Sequence, residues 1–203
     1  MSDAAESNSK VGLKAIREWV TVVGVALIIA FVVRGFALQQ FYISGPSMES
    51  TMFQDNRVLV NKLSYRLHDI HRGDVVVFDR VTTDGVAVQH DDLIKRVIGL
   101  AGDTISISKC VVSVNGKAIN EPYLNDYDIA QTNLDDRCRI PEMANTTVES
   151  GHLFVMGDNR NHSNDSRRFG PIPRENIIGE ALIRYWPPQD WSIVTRWRFN
   201  MSE

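Results

Sequence analysis

The chain has 203 residues, and its 22 Lys and Arg against 25 Asp and Glu leave a net charge of −3. That length holds one moderate domain with a real core plus a short additional element. The charge balance does not suggest nucleic acid as a partner, and 43% hydrophobic content fits a globular chain, not a disordered one.

The first element is apolar. Trp19 to Val33 (WVTVVGVALIIAFVV) carries no charge over fifteen residues, between Arg17-Glu18 and Arg34. A helix of that length spans roughly 22 Å, short of a ~30 Å hydrocarbon core. The largely apolar GFALQQFYI that follows, with Arg34 snorkelling, extends it enough for a single span. A secretory signal peptide is the competing reading, since Gly35 and Ala37 place small residues at recognition positions. Arg34 and the long polar lead favour an uncleaved anchor. Lys10, Lys14 and Arg17 precede the span, so the expected order is a cytoplasmic N-terminus (1–17), a transmembrane anchor (18–38) and an exported domain (39–203).

Next comes a turn-rich stretch with three serines, Ile43-Ser44-Gly45-Pro46-Ser47-Met48-Glu49-Ser50-Thr51. Strand-like runs then recur at 57–61, 75–78, 93–100, 104–108, 111–114 and 153–156, with a short helix within 63–70. Arg72-Gly73-Asp74, Ala101-Gly102-Asp103 and Asn115-Gly116 supply the turns, the last being a two-residue hairpin signal. The exported part reads as mainly β, an antiparallel sandwich or partly open barrel. The polar stretch 121–150 reads as an excursion from that core. Cys110 and Cys138 either form a disulfide, which an exported domain would retain, or are separate buried thiols. No ligand spacing for a metal occurs.

A serine nucleophile needs a proton acceptor. His90, followed by Asp91 and Asp92, offers a Ser-His-Asp relay, but three polar residues in a row read better as a solvated loop. Lys95 sits in LIKRVI, where period two puts it on one face with Leu93 and Val97, and Arg96 on the other with Ile94 and Ile98. An amine among apolar neighbours loses hydration, its pKa falls, and the neutral form can act as base. A lysine snorkelling from an edge strand fits the same pattern. The dense turn Gly157-Asp158-Asn159-Arg160-Asn161-His162-Ser163-Asn164-Asp165-Ser166-Arg167 allows Asp165 to pair with Arg167, and Asp158 with Arg96. It reads equally as a solvated surface turn.

Taken in order, Ser-Met in a Gly/Pro turn after an apolar span, GDVVVF, KRVIGLAGD and GDNRNHSNDSR resemble the blocks of bacterial type I signal peptidases. The resemblance implies a membrane-anchored endopeptidase that removes signal peptides from exported preproteins, cutting after small-x-small sites without metal or organic cofactor. Carried over residue by residue, it implies that Ser47 is the nucleophile and Lys95 the general base. Ser163 would hydrogen-bond that lysine, Asp165 and Arg167 would brace the site, and Phe41, Ile43, Met48, Met52 and Ile94 would line the substrate pockets. Its partners would be exported preproteins and the lipid bilayer. Gly45 departs from the serine that many members use as a second oxyanion donor, and Ser50 replaces a usual proline. A self-cleaving Ser-Lys repressor-like protease and a catalytically silent tethered β-domain are the alternative readings; the former lacks a DNA-binding segment here.

Overall fold

A computed structural model describes residues 3–83, 85, 87–124, 138–194 and 196–197. The chain divides into two units, Met1–Gln39 and Gln40–Glu203.

The first unit is dominated by a single helix, α1 (Asp3–Phe36). Its apolar run leaves large side chains uncovered all round: Trp19, Leu27 and Phe31 are 72%, 65% and 80% exposed. Among the described residues, no helix is long and apolar enough to cross a membrane.

The second unit is mainly β, as expected. Its strands are β1 (Leu38–Tyr42, entering from the first unit), β2 (Arg57–Asn61), β3 (Val75–Thr83), β4 (Val88–Gly99), β5 (Thr104–Ser108), β6 (Val111–Val114), β7 (Lys117–Ala118), β8 (Met143–Thr147), β9 (His152–Met156), β10 (Ile172–Pro173), β11 (Ile177–Trp186) and β12 (Ser192–Ile193). Two one-turn helices, α2 (Ser64–Leu67) and α3 (Ser166–Phe169), interrupt them. The larger sheet runs β1-β2-β11-β3-β4-β9-β10, with β12 on β11, and its pairs from β2 to β10 are antiparallel. The smaller sheet runs β7-β6-β5-β8.

The larger sheet is covered on both faces, which explains why VVVF lacks alternation. Val75 and Val77 join a cluster with Ile43, Met48, Met52, Val58 and Val60, while Val76 and Phe78 join Ile70, Val97, Leu153 and Val155. A third cluster, containing Ile98, Ile105, Val112 and Phe154, includes the inner face of the smaller sheet.

Two sequence expectations change here. The segment around His90 is not a loop, because β3 and β4 continue as a long hairpin in register from Val75↔Arg96 to Thr83↔Val88. Opposed pairs such as Arg80↔Asp91 and Val81↔His90 give a two-faced exposed ribbon, where apolar alternation is absent and polar residues are tolerated. The excursion 121–150 ends in regular structure, since β8 pairs with β5 in the smaller sheet; its middle, 125–137, lies outside the described residues. Cys110 and Cys138 are joined by a disulfide with Cα atoms 5.8 Å apart.

Candidate active site

Ser47 stands in one turn of 3-10 helix, Pro46–Met48. Pro46 suits the first helical position because its missing N–H would have no partner there, and Met48 is fully buried beneath. The turn closes on itself through Glu49 N–H to Pro46 O (3.0 Å) and Met52 N–H to Met48 O (2.8 Å). It docks against the 157–160 loop, where the Asn159 N–H donates to the Ser47 carbonyl at 3.1 Å. Gly157 is required for this approach: a Cβ there would meet Ser47 O at 2.4 Å and Ser163 Oγ at 2.3 Å.

Lys95, in β4 opposite Val76, reaches the serine. Its Nζ lies 2.7 Å from Ser47 Oγ and donates to the Ile94 carbonyl at 2.7 Å. Lys95 is 2% exposed. Burial pushes its amine down to about 8, against an upward pull from Asp165 and Asp158. The lowered value makes the uncharged amine accessible near neutral pH, and an uncharged amine beside a hydroxyl can take its proton.

The surrounding charges are paired. Arg167 holds Asp165 through Nε–Oδ1 and Nη2–Oδ2 bonds, both 2.8 Å, and the Gly157 N–H donates to Asp165 Oδ2 at 3.0 Å. Burial would raise the Asp165 carboxyl, but Arg167, Ser163 and Gly157 together hold it below the ordinary range. Asp165 also caps α3, accepting from the Arg167 N–H. Arg96 grips Asp158 through Nε–Oδ1 (2.9 Å) and Nη2–Oδ2 (2.7 Å), and donates to the Gly73 carbonyl. Arg160 reaches the Gly157 carbonyl and pairs with Glu121.

Ser163 differs from expectation. It is buried beside Asp165, whose carboxyl it helps hold down, and packs on Gly157, yet among the described residues its Oγ meets no partner in full hydrogen-bond geometry, and Lys95 directs its own bonds to Ser47 and Ile94. The expected Ser163–Lys95 bond is not formed in this structure.

A cleft of ≈120 Å³ opens beside the pair. Phe41, Ile43, Val77, Leu93 and Ile94 give it apolar walls, Ser44, Gly45 and Ser47 one edge, and Asp92 a charged rim. Met48 and Met52 do not line it; both are fully buried in the cluster that includes Ile43. Met48 packs inward from the 3-10 turn into that cluster. Val77 and Asp92 were missed in the sequence because nothing in a strand's own pattern says which strand end faces a cleft. His90 pairs with Asp79, not with Asp91 or Asp92, and is 62% exposed on its side chain. Among the described residues, no group of three His, Cys, Asp or Glu is placed to hold a metal. At Gly45, a Cβ would meet nothing within 4 Å, and the backbone there is extended (φ −141°).

Residues 16–186 match the family model described as signal peptidase, peptidase S26. A probable signal peptidase I-2 of Synechocystis sp. is 38% identical over 172 residues, covering 84% of this chain and 73% of that protein. Signal peptidase IB of Staphylococcus aureus strain COL is 36% identical over 182 residues, covering 86% and 91%. A crystal structure of a signal peptidase I from Enterococcus faecalis V583 aligns with a TM-score of 0.45 at 26% identity, over 56% of this chain and 97% of that one.

Proposed function

The chain belongs to the signal peptidase family, peptidase S26, and from that membership we infer that Ser47 and Lys95 carry out the cleavage of signal peptides from exported preproteins. The observation that carries the assignment is the 2.7 Å approach of Ser47 Oγ to a buried amine whose pKa has fallen to about 8.

Uncharged Lys95 accepts the Ser47 proton while Oγ attacks the scissile carbonyl. The oxyanion is met by the Ser47 N–H, a donor fixed in position before the charge develops. The ammonium of Lys95 then returns its proton to the leaving amine. In the second half-reaction Lys95 deprotonates a water, which releases the acyl group and restores the serine. The substrate lies extended along the cleft between the 41–45 and 92–95 segments, adding backbone bonds as a further strand would. Phe41, Ile43, Val77 and Ile94 leave room for small side chains only, which favours an Ala-x-Ala site by rejecting larger groups sterically. The uncovered apolar girdle of α1 and the cations that precede it favour anchoring in a lipid bilayer, with the second unit on the extracytoplasmic side.

The assignment is tested with full-length protein in detergent micelles and a preprotein carrying an Ala-x-Ala site, with products mapped by mass spectrometry. Wild type is expected to cut after the second alanine, and Ser47→Ala to lose at least ~10³-fold in rate with its fold intact. Equal cutting by both proteins removes Ser47 from the mechanism. No cutting by folded wild type favours a silent tethered domain.

Gly45 gives a prediction of opposite sign. A Cβ there meets no described atom within 4 Å, and the backbone conformation is an ordinary extended one, at the edge of the cleft beside Ser47. One oxyanion donor is commonly worth 10²–10³ in rate, so Gly45→Ser is expected to raise kcat by about tenfold with little change in KM or melting temperature. An unchanged or lower kcat means that the added hydroxyl does not reach the oxyanion.

A further inference from the structure

Outside the Ser47–Lys95 pair, a buried polar cluster gathers on a short strap, Glu121-Pro122-Tyr123-Leu124, which continues from Ile119 in the core of the smaller sheet. The strap touches both segments that shape the candidate active site. The Tyr123 carbonyl accepts the Ser50 hydroxyl at 2.6 Å, three residues beyond Ser47. Ser50 itself is held at φ +87°, a conformation that a non-glycine residue keeps only when its surroundings impose it. On the other side, Glu121 takes Arg160 through Nη1–Oε2 (2.8 Å) and a second contact, while the Tyr123 hydroxyl donates to Glu121 Oε1 at 2.6 Å. Arg160 in turn donates to the Gly157 carbonyl, at the glycine on which Ser47 rests. The Tyr123 ring lies 4.0 Å beneath the Arg96 guanidinium, which grips Asp158.

These contacts share one geometry. Two buried guanidiniums hold the 157–160 loop, Arg160 from within it and Arg96 from β4, and the strap supplies the first with a carboxylate and the second with an aromatic face. The same four residues also tie the end of the Ser47 turn. Nothing in the strap touches the cleft, so it acts through other residues. We propose that Glu121 and Tyr123 are positioning residues that hold the Ser47 turn and the 157–160 loop in the alignment that brings Ser47 Oγ to Lys95. The inference rests on the proposed role of Ser47 for its kinetic consequence, though not for its structural one.

Because truncating Glu121 would strand a buried cation and endanger folding, the test uses Tyr123→Leu, Tyr123→Phe and Ser50→Ala. Each is compared with wild type in preprotein cleavage and in amide hydrogen exchange on the full-length protein in micelles. Tyr123→Leu is expected to lower kcat by about tenfold or more with KM within about twofold, since a small misplacement of a reacting group is costly. Both variants keep the backbone carbonyl for Ser50, but Tyr123→Phe also keeps the ring under Arg96 and is expected to recover most of that loss. Ser50→Ala should fall between them. In Tyr123→Leu, exchange should quicken at residues 47–52 and 157–160 while the β3–β4 core keeps wild-type protection. Wild-type kcat in both Tyr123→Leu and Ser50→Ala overturns the proposal. So does faster exchange spread evenly over the core strands, which would make the strap a general stabiliser. If wild type itself does not cut, the peptidase reading fails, and the local exchange pattern still decides whether the strap sets the turn.

Discussion

Replacing Lys95 by methionine is expected to make the protein inactive and more stable at once. The amine is buried, and its pKa falls from 10.5 in the unfolded chain to about 8 in the folded one. Below pH about 8 it is charged in both states, so the full desolvation cost is present. Between about 8 and 10.5 the unfolded chain binds more protons, and stability rises with pH; above that range the gain is complete. At 1.36 kcal/mol per pKa unit the cost at neutral pH is about 3 kcal/mol, an upper bound because methionine also gives up the bonds to Ser47 and Ile94. For a chain of this length that corresponds to a melting temperature higher by several degrees. Thermal unfolding followed by circular dichroism at pH 7 and pH 10 tests this: the wild type should gain stability over that interval and Lys95→Met should not. Loss of a general base should cost cleavage at least ~10²–10⁴-fold. In the wild type, kcat/KM should climb with pH through about 8 and then level. A Lys95→Met protein that cleaves at the wild-type rate, or a wild-type rate flat from pH 6 to 9, contradicts the assignment.

Breaking the Arg96–Asp158 pair is expected to be the most damaging single change to the fold. Both side chains are essentially inaccessible, 1% and 0% exposed, and each uses the other for two bonds. Asp158 also accepts from the Thr51 hydroxyl at 2.5 Å, so the pair joins the Ser47 turn to the 157–160 loop. Removing one partner leaves a buried charge without compensation, at a cost of about 3–5 kcal/mol. Asp158→Ala should therefore lose that amount in denaturant unfolding, and Arg96→Met a similar amount. The double variant Arg96→Met/Asp158→Leu should lose less than either single one. If the two single losses simply add, the pair is not coupled. Asp158→Asn adds a kinetic signature: it removes one of the two charges that pull the Lys95 amine upward, so the midpoint of the rate profile should move to lower pH.

The strands that carry strong alternation or solid apolar runs were legible in the sequence, and Arg57–Asn61, Thr104–Ser108 and Val111–Val114 fall at their expected bounds. β11 was not legible. It is central to the larger sheet, pairing with β2 and β3, yet IIGEALIRYW contains a glycine, a glutamate and an arginine and follows no period. Gly179 is there because Asn61 O approaches within 2.5 Å of where its Cβ would lie, and bulges on β11 break the alternation. The pairing of Asp165 with Arg167 and of Asp158 with Arg96 was allowed by charge, beside a solvated turn that fitted equally, and the approach of Ser47 to Lys95 was expected only through the family resemblance. Periodicity put Lys95 on an apolar face but left an exposed amine equally open, because burial depends on strands far away in sequence. The role of Glu121 left no such trace: its partner Arg160 is 39 positions downstream, and neither position marks the other.

The empty space at Gly45 bears on selective inhibition of this enzyme. An inhibitor that presents a carbonyl to Ser47 finds no side chain at position 45, where a homologue with serine would carry a hydroxyl. A methyl or amide branch aimed at that position would fit here and collide there. On the proposed mechanism, the same space also admits a hydrogen-bond donor carried by the ligand beside Ser47, so that affinity and discrimination would come from a single substituent.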